Sequence, residues 1–218
     1  MNEQLEALMQ QFKTIVHDEL SLSMKAYADE RGVPIMQETG LELMLQLLRI
    51  KQPAAILEIG SAIGYSAMMM ARHLPNTVVS TIERDEARFE EAQRFLGLSN
   101  VKDRVWLRLA DALEIDNQEL PLEKYDVIFI DAAKAQYQKF FEKYAPLLKE
   151  DGIIISDNLI FHGLIFEPEA IESRNLRRLV QKINHYNEWL ANHPDYDTVL
   201  LPLGDGIAIS KKKIEVKV

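Results

Sequence analysis

The sequence predicts an α/β protein built on a seven-stranded, mostly parallel sheet, and three observations carry the prediction. Five short β-branched or apolar runs recur between residues 54 and 157. Amphipathic helical patterns separate most of them, which implies right-handed crossovers and parallel neighbours covered by helices on both faces. The chain then reaches two strand-like runs joined by Gly204-Asp205-Gly206, the mark of an antiparallel hairpin at the sheet's edge.

Residues 2 to about 31 carry Leu5, Leu8, Met9, Phe12, Ile15, Val16 and Leu20 near helical spacing, until Gly32 and Pro34 break the pattern. A second helix is expected over about residues 37–49, with Leu41, Met44, Leu45 and Leu48 on its apolar face. From Pro53 the period shortens. AAILEIG (54–60), TVVSTIE (77–83), RVWLRLAD (104–111), YDVIFID (125–131) and GIIISD (152–157) read as strands, and residues 65–73, 85–96 and 135–149 as helices between them. A long amphipathic helix over about residues 171–192 precedes the hairpin, YDTVLLPLGDGIAISKK (196–212), and the lysine-rich stretch 211–217 reads as solvated. No repeat or linker divides the chain, so residues 1–218 are expected to form one domain, with extra helices over 1–50 ahead of a core over 53–212.

Composition narrows the function. A 218-residue chain that is 47% apolar can bury one sizeable core. Having no cysteine, it has no disulfide framework, thiolate metal site or thiol nucleophile, which suits a cytoplasmic setting. The start is acidic rather than basic and no apolar run reaches membrane-spanning length, so neither a secretory signal nor a membrane partner is expected. A formal charge of −9 argues against indiscriminate nucleic-acid binding and leaves room for a local basic patch.

The first strand runs into Gly60 and Gly64 through Ala62, an E-x-G-x-x-x-G pattern beginning at Glu58. A dinucleotide loop would carry a glycine where Ala62 stands, so this loop suits a bulkier ligand without a pyrophosphate. Glu83 ends the second strand, where a carboxylate can accept both hydroxyls of a ribose, and Asp111 ends the third, placed to meet an adenine edge. Each acid alone is equally well a helix cap or turn residue. Together with the loop they point to a nucleoside ligand.

Asp131 ends the fourth strand, and the fifth, IIIS, stops on Asp157 and Asn158. Parallel neighbours lie ~4.8 Å apart, so two such carboxylates can converge on one ion, with the amide adding a neutral oxygen. Spacing alone is equally met by a cap at Asp131 and a turn at Asp157-Asn158.

LEIGSAIGYSA (57–67), Glu83 and Ala110-Asp111-Ala112 resemble the S-adenosylmethionine-binding half of class I methyltransferases, which have a Rossmann-like fold. FIDAAKAQY (129–137), ISDNLIFHG (155–163) and LPLGDGIAIS (201–210) narrow the resemblance to the divalent-metal-dependent O-methyltransferases, the caffeoyl-CoA and catechol group, over about residues 30–212. The N-terminal helices and MQETGLELMLQLL (36–48) look most like the bacterial tRNA 5-hydroxyuridine branch. The resemblance implies that Asp131, Asp157 and Asn158 bind Mg²⁺ or another divalent cation, leaving about three positions of an octahedral shell open. It implies that Met36, Glu58, Gly60, Gly64, Ser66, Glu83, Asp111, Ala112 and Asp131 serve S-adenosylmethionine, and that Lys134, with Asp131, is catalytic as general base or electrostatic guide. Plant relatives read Asp-Ala-Asp-Lys where this chain has Asp131-Ala132-Ala133-Lys134, so the second acid's role is absent here. Tyr137 reads as packing. Phe161 and His162 stand where small-molecule enzymes of the group place a tryptophan and read as lid or substrate wall.

A metal lowers the pKa of an acceptor hydroxyl and aims it. Catechols and 5-hydroxyuracil both offer two adjacent oxygens to such an ion. The expected function is methylation of 5-hydroxyuridine in tRNA to 5-methoxyuridine, with a small phenolic acceptor as the alternative and a non-catalytic nucleoside-binding protein as a third reading. Arg174, Arg177 and Arg178 lie on one helix face, and Lys51, Arg72 and Lys102 are expected to extend a basic rim; Glu167, Glu169 and Glu172 nearby offer them salt bridges instead. Apolar residues on the first helix suggest a homodimer, as in relatives.

Overall fold

The computed structural model describes Leu8 and residues 11–214; Leu5 and Met9 of the first expected helix lie outside them. Two helices lead, α1 (Glu19–Arg31) and α2 (Glu38–Lys51). Residues 11–18, expected to be helical, instead form a turn and irregular chain. Side chains compete for their backbone: Asp18 caps α1 by accepting from the Ser21 N–H (2.8 Å), while Glu42 takes the N–H groups of Thr14 (2.8 Å) and Ile15 (3.2 Å). Glu38 at the head of α2 gathers Lys25, Lys13 and His17, which hold its carboxyl down at about 2.

The sheet then builds from β1 (Ala55–Ile59), β2 (Val78–Glu83), β3 (Val105–Leu109), β4 (Tyr125–Ile130) and β5 (Leu148–Ser156), with α3 (Tyr65–His73), α4 (Glu86–Leu98) and α5 (Tyr137–Tyr144) on the crossovers. After α6 (Arg174–Ala191), the hairpin β6 (Tyr196–Leu201) and β7 (Ile207–Lys212) completes the order β3-β2-β1-β4-β5-β7-β6. The five leading strands are parallel, and β7 lies antiparallel between β5 and β6. Every residue of β1 and β4 is buried, as central strands covered on both faces require.

Alternate residues of these strands feed two cores. Ile56, Val127, Phe129 and Ile155 pack under α1–α4 with Met24, Leu41, Met44 and Phe95. Leu57, Ile59, Ile128, Ile130 and Ile154 pack under α5 and α6 with Tyr137, Phe141 and Tyr186. Each such side chain stabilises the fold by roughly 1.5–3 kcal/mol. The helix expected over 135–149 stops at Tyr144, because Pro146 withholds an N–H and Leu148 already pairs with Tyr125 across a bulge. No helix among the described residues is long and apolar enough to cross a membrane.

Candidate active site

The register ends the parallel strands level. Ile59 pairs with both Ile82 and Ile130, and Ile130 with Ser156. The ladder runs one step further: the Gly60 N–H donates to Ile82 O (2.9 Å), Asp131 to Ile59 O (3.0 Å) and Asp157 to Ile130 O (3.1 Å). The residues after the strands therefore stand in a row along the carboxyl edge, where an open parallel sheet binds its ligand.

One half of the row opens into a cleft. Gly60 has φ +96°, and a Cβ there would lie 2.3 Å from the Asp131 carbonyl oxygen, so only glycine lets the loop meet the end of β4. Glu83 clamps that loop, accepting from the Ala62 N–H (2.8 Å) at Oε2 and from Arg84 and Asp85 (2.9 Å each) at Oε1. Asp111 orders the next turn by accepting from the Leu113 N–H (2.8 Å). Met36, Gly60, Ser66, Glu83, Asp111, Ala112 and Asp131 all line this one cleft.

Glu58 and Gly64 are outside its lining. Glu58 is fully buried beneath the loop, where its two oxygens accept the hydroxyls of Ser66 and Thr81 (2.5 Å each). Burial pushes its carboxyl up to about 7 against those two hydrogen bonds, with the charges of Asp131 and Glu83 adding to the rise. It supports the loop from below. Gly64, at φ +80°, caps α3 over Leu96.

The other half of the row is acidic. Asn158 donates Nδ2–H to Asp131 Oδ1 across 2.7 Å, and the Tyr137 hydroxyl holds the strand end by donating to Asp157 O (3.0 Å). Asp157 is 3% exposed, and its Oδ1 is buried with no hydrogen-bond partner. Burial and then the Asp131 charge push its carboxyl up to about 8. Burial raises Asp131 as well, against the pull of Lys134 and Asn158. Among the described residues no three Asp, Glu or His side chains gather on one point. The set is two carboxylates and an amide, one buried oxygen of which lacks a partner, and that donor chemistry fits a hard cation with open positions.

Lys134 lies in the cleft wall before α5, its ammonium 5.3 Å from the centre of the Phe161 ring. Of five non-glycine residues with positive φ among those described, four border this region: Ala62, Asn158, Phe161 and His162. Such backbone strain gathers where geometry serves a site.

The expected basic rim is a correction. Lys51 pairs with Asp151 (2.6 Å) and Arg72 with Asp18 (2.6 Å), and Lys102 precedes β3. All three sit at the amino edge of the sheet, because a residue just before a parallel strand, or at the foot of its crossover helix, is opposite the cleft. Arg177 donates Nε–H and Nη2–H to Ile171 O (3.1 and 2.6 Å), so it fastens a loop; Arg174 and Arg178 are exposed. Sequence reasoning also missed Ser61, whose buried, unpartnered hydroxyl lines the cleft, and Arg88 beside it. A serine inside a glycine loop carried no signal of its own.

The family model described as O-methyltransferase matches residues 8–213. The chain belongs to this O-methyltransferase family. It is 39% identical to a candidate caffeoyl-CoA O-methyltransferase from Staphylococcus aureus, whose crystal structure matches with a TM-score of 0.87 over 97% of this chain and 98% of that one. A catechol O-methyltransferase from Niastella koreensis is 31% identical over 194 residues, 83% of this chain and 84% of that protein. An O-methyltransferase from Bacillus cereus, solved in complex with SAH, is 26% identical with a TM-score of 0.76, covering 91% of this chain and 93% of that one. The protein is thus an S-adenosylmethionine-dependent O-methyltransferase on a Rossmann-like sheet.

Proposed function

We propose that this O-methyltransferase works with a divalent cation, in the first instance Mg²⁺, held by Asp131, Asp157 and Asn158, and that its acceptor is a small phenolic compound with two adjacent oxygens. The observation that carries the cation is the buried Asp157 Oδ1, which has no partner beside a second carboxylate. When bound, such a cation supplies the pull that makes a neutral hydroxyl acidic, and S-adenosylmethionine supplies the methyl group.

The chain's own residues supply position. Glu83 and Asp111 hold the donor's nucleoside through the loops they order. Asp131 belongs to both halves of the cleft, so donor and acceptor meet beside it. Lys134 faces the same space, an amine that takes the hydroxyl proton when neutral or steadies the oxyanion when charged. The methyl passes from sulfonium sulfur to acceptor oxygen as the C–S bond breaks, and the hydroxyl proton leaves to Lys134 or water. Phe161 offers a flat wall against which an aromatic acceptor can stack.

The catechol and caffeoyl-CoA relatives, the −9 charge and the absence of Lys51, Arg72 and Lys102 from the cleft support the phenolic acceptor. A second reading, 5-hydroxyuridine in tRNA as acceptor and 5-methoxyuridine as product, is supported by the sequence resemblance and by exposed Arg174 and Arg178 at the head of α6. The proposal includes a homodimer through the N-terminal segment, where Phe12 and Val16 are 70% and 86% exposed; sedimentation at micromolar concentration tests it.

One assay separates the readings: labelled methyl donor and Mg²⁺ with either catechol or tRNA from cells lacking the modification. Label in catechol supports the first reading and label in tRNA alone overturns it. Full turnover in thorough chelator removes the cation from the proposal.

A further inference from the structure

We propose that Asp205, which takes no part in the methyl transfer itself, is a positioning residue: it fixes the 158–163 loop and through it sets the Asn158 amide and the Phe161 ring on the acceptor side of the cleft. The inference rests on the proposed cation for what the Asn158 amide does, and on geometry alone for what the loop does.

Asp205 sits in the turn between β6 and β7 and is 4% exposed. A buried carboxylate is costly, so its partners explain its presence. Its Oδ1 accepts from the backbone N–H of His162, with the exposed His162 ring 3.5 Å away, and its Oδ2 is buried without a partner. The backbone of the same turn holds the loop twice more: the Ile160 N–H donates to Asp205 O (2.8 Å) and the Leu159 N–H to Gly206 O (3.0 Å). Three successive fasteners thus tie residues 159, 160 and 162 to residues 205 and 206.

The loop needs them. Asn158, Phe161 and His162 have φ of 65°, 47° and 55°, a region that L side chains leave unless surrounding structure over-determines it. The turn itself has no slack. A Cβ on Gly206 would meet Ile160 Cγ1 at 2.5 Å, and one on Gly204 would meet the backbone of Gly40 in α2 at 3.2 Å. The turn is therefore wedged between the head of α2 and the loop, and among the described residues Asp205 is the side chain that hydrogen-bonds across the join. Released at His162, the loop is free to relax toward ordinary φ, carrying Phe161 off Lys134 and Asn158 off Asp131.

The test compares wild type, Asp205→Ala and Asp205→Asn as full-length protein, the asparagine keeping an Oδ1 acceptor for His162. Backbone hydrogen exchange over 158–163 should be about tenfold faster in Asp205→Ala. Mn²⁺ affinity, read from the paramagnetic resonance of the free ion, should weaken about tenfold or more, as for other groups that orient metal ligands. Acceptor KM should rise more than kcat falls, SAH affinity by calorimetry should stay unchanged, and Asp205→Asn should return each value toward wild type. Unchanged exchange in Asp205→Ala overturns the inference, as do SAH affinity falling in step with the rest and failure of Asp205→Asn to rescue. Wild type that binds no Mn²⁺ sinks the cation reading instead, and the exchange comparison then decides the positioning role by itself. If Asp205→Ala does not fold, Asp205→Ser, too short to reach His162, carries the same comparison.

Discussion

Replacing Glu58 by glutamine should stabilise the protein, and increasingly so as pH rises from 5 to 8. The side chain is fully buried, and its carboxyl is pushed from an ordinary 4.5 up to about 7, chiefly by burial. Below 4.5 folded and unfolded chains are both protonated and the shift has no effect. Between 4.5 and about 7 the unfolded chain is ionised while the native one keeps its proton, so unfolding releases a proton and stability falls as pH climbs. At about 1.4 kcal/mol per unit, the full deficit above pH 7 is about 3 kcal/mol. Glutamine has the same shape, keeps an oxygen for one of the Ser66 and Thr81 hydroxyls and offers an N–H to the other, but never ionises. For a chain of this size about 3 kcal/mol corresponds to roughly 6–12 °C in Tm. Melting curves of both proteins at pH 5, 6, 7 and 8 should therefore converge at the acid end and separate by that much at the alkaline end. A gap that is constant with pH, or a variant less stable at pH 8, would refute the assignment of a strained, ionisable Glu58.

Five further outcomes are expected. Asp157→Asn should abolish turnover; in chelator it should melt above wild type at pH 8 and not at pH 4, because a carboxyl raised to about 8 costs native stability as pH rises from its ordinary 3.8 through 8. For the same reason cation uptake by wild type below pH 8 should release a proton, read by calorimetry in buffers of different ionisation enthalpy. Gly60→Ala should lose SAH binding and about 3 kcal/mol of stability or more, since its Cβ would stand 2.3 Å from Asp131 O at φ +96°. Glu83→Ala should weaken SAH binding about 100-fold by calorimetry, having lost charge-assisted hydrogen bonds to three backbone N–H groups of the donor loops. Lys134→Met should lower kcat by about 10²–10⁴ while leaving SAH affinity in place.

Much of this site is legible in the sequence. Strands of β-branched residues alternating with helical patterns imply a parallel sheet, and such a sheet lines up the residues after its strands along one edge. Gly60, Glu83, Asp111, Asp131 and Asp157 could therefore be picked out from their place at a strand's end. Glu58 was picked out by the same pattern, yet it lies inside β1, two residues before Gly60, and its side chain drops beneath the loop. The basic residues failed for a different reason: charge says nothing about which end of the sheet a residue occupies, and Lys51, Arg72 and Lys102 went to the amino edge.

The sequence by itself determined the layered α/β fold and the roll of side chains at the carboxyl edge, because period and strand order in the chain are local properties that survive any packing. Only the tertiary structure decided that the final strand β7 slots between β5 and β6, that the Gly204-Asp205-Gly206 turn consequently abuts the 158–163 loop, and that Asp157 is left with a buried oxygen facing no partner. Those depend on how segments separated in the chain come to pack, whose geometry is set by side-chain volume and closure of the sheet, and no local pattern records them.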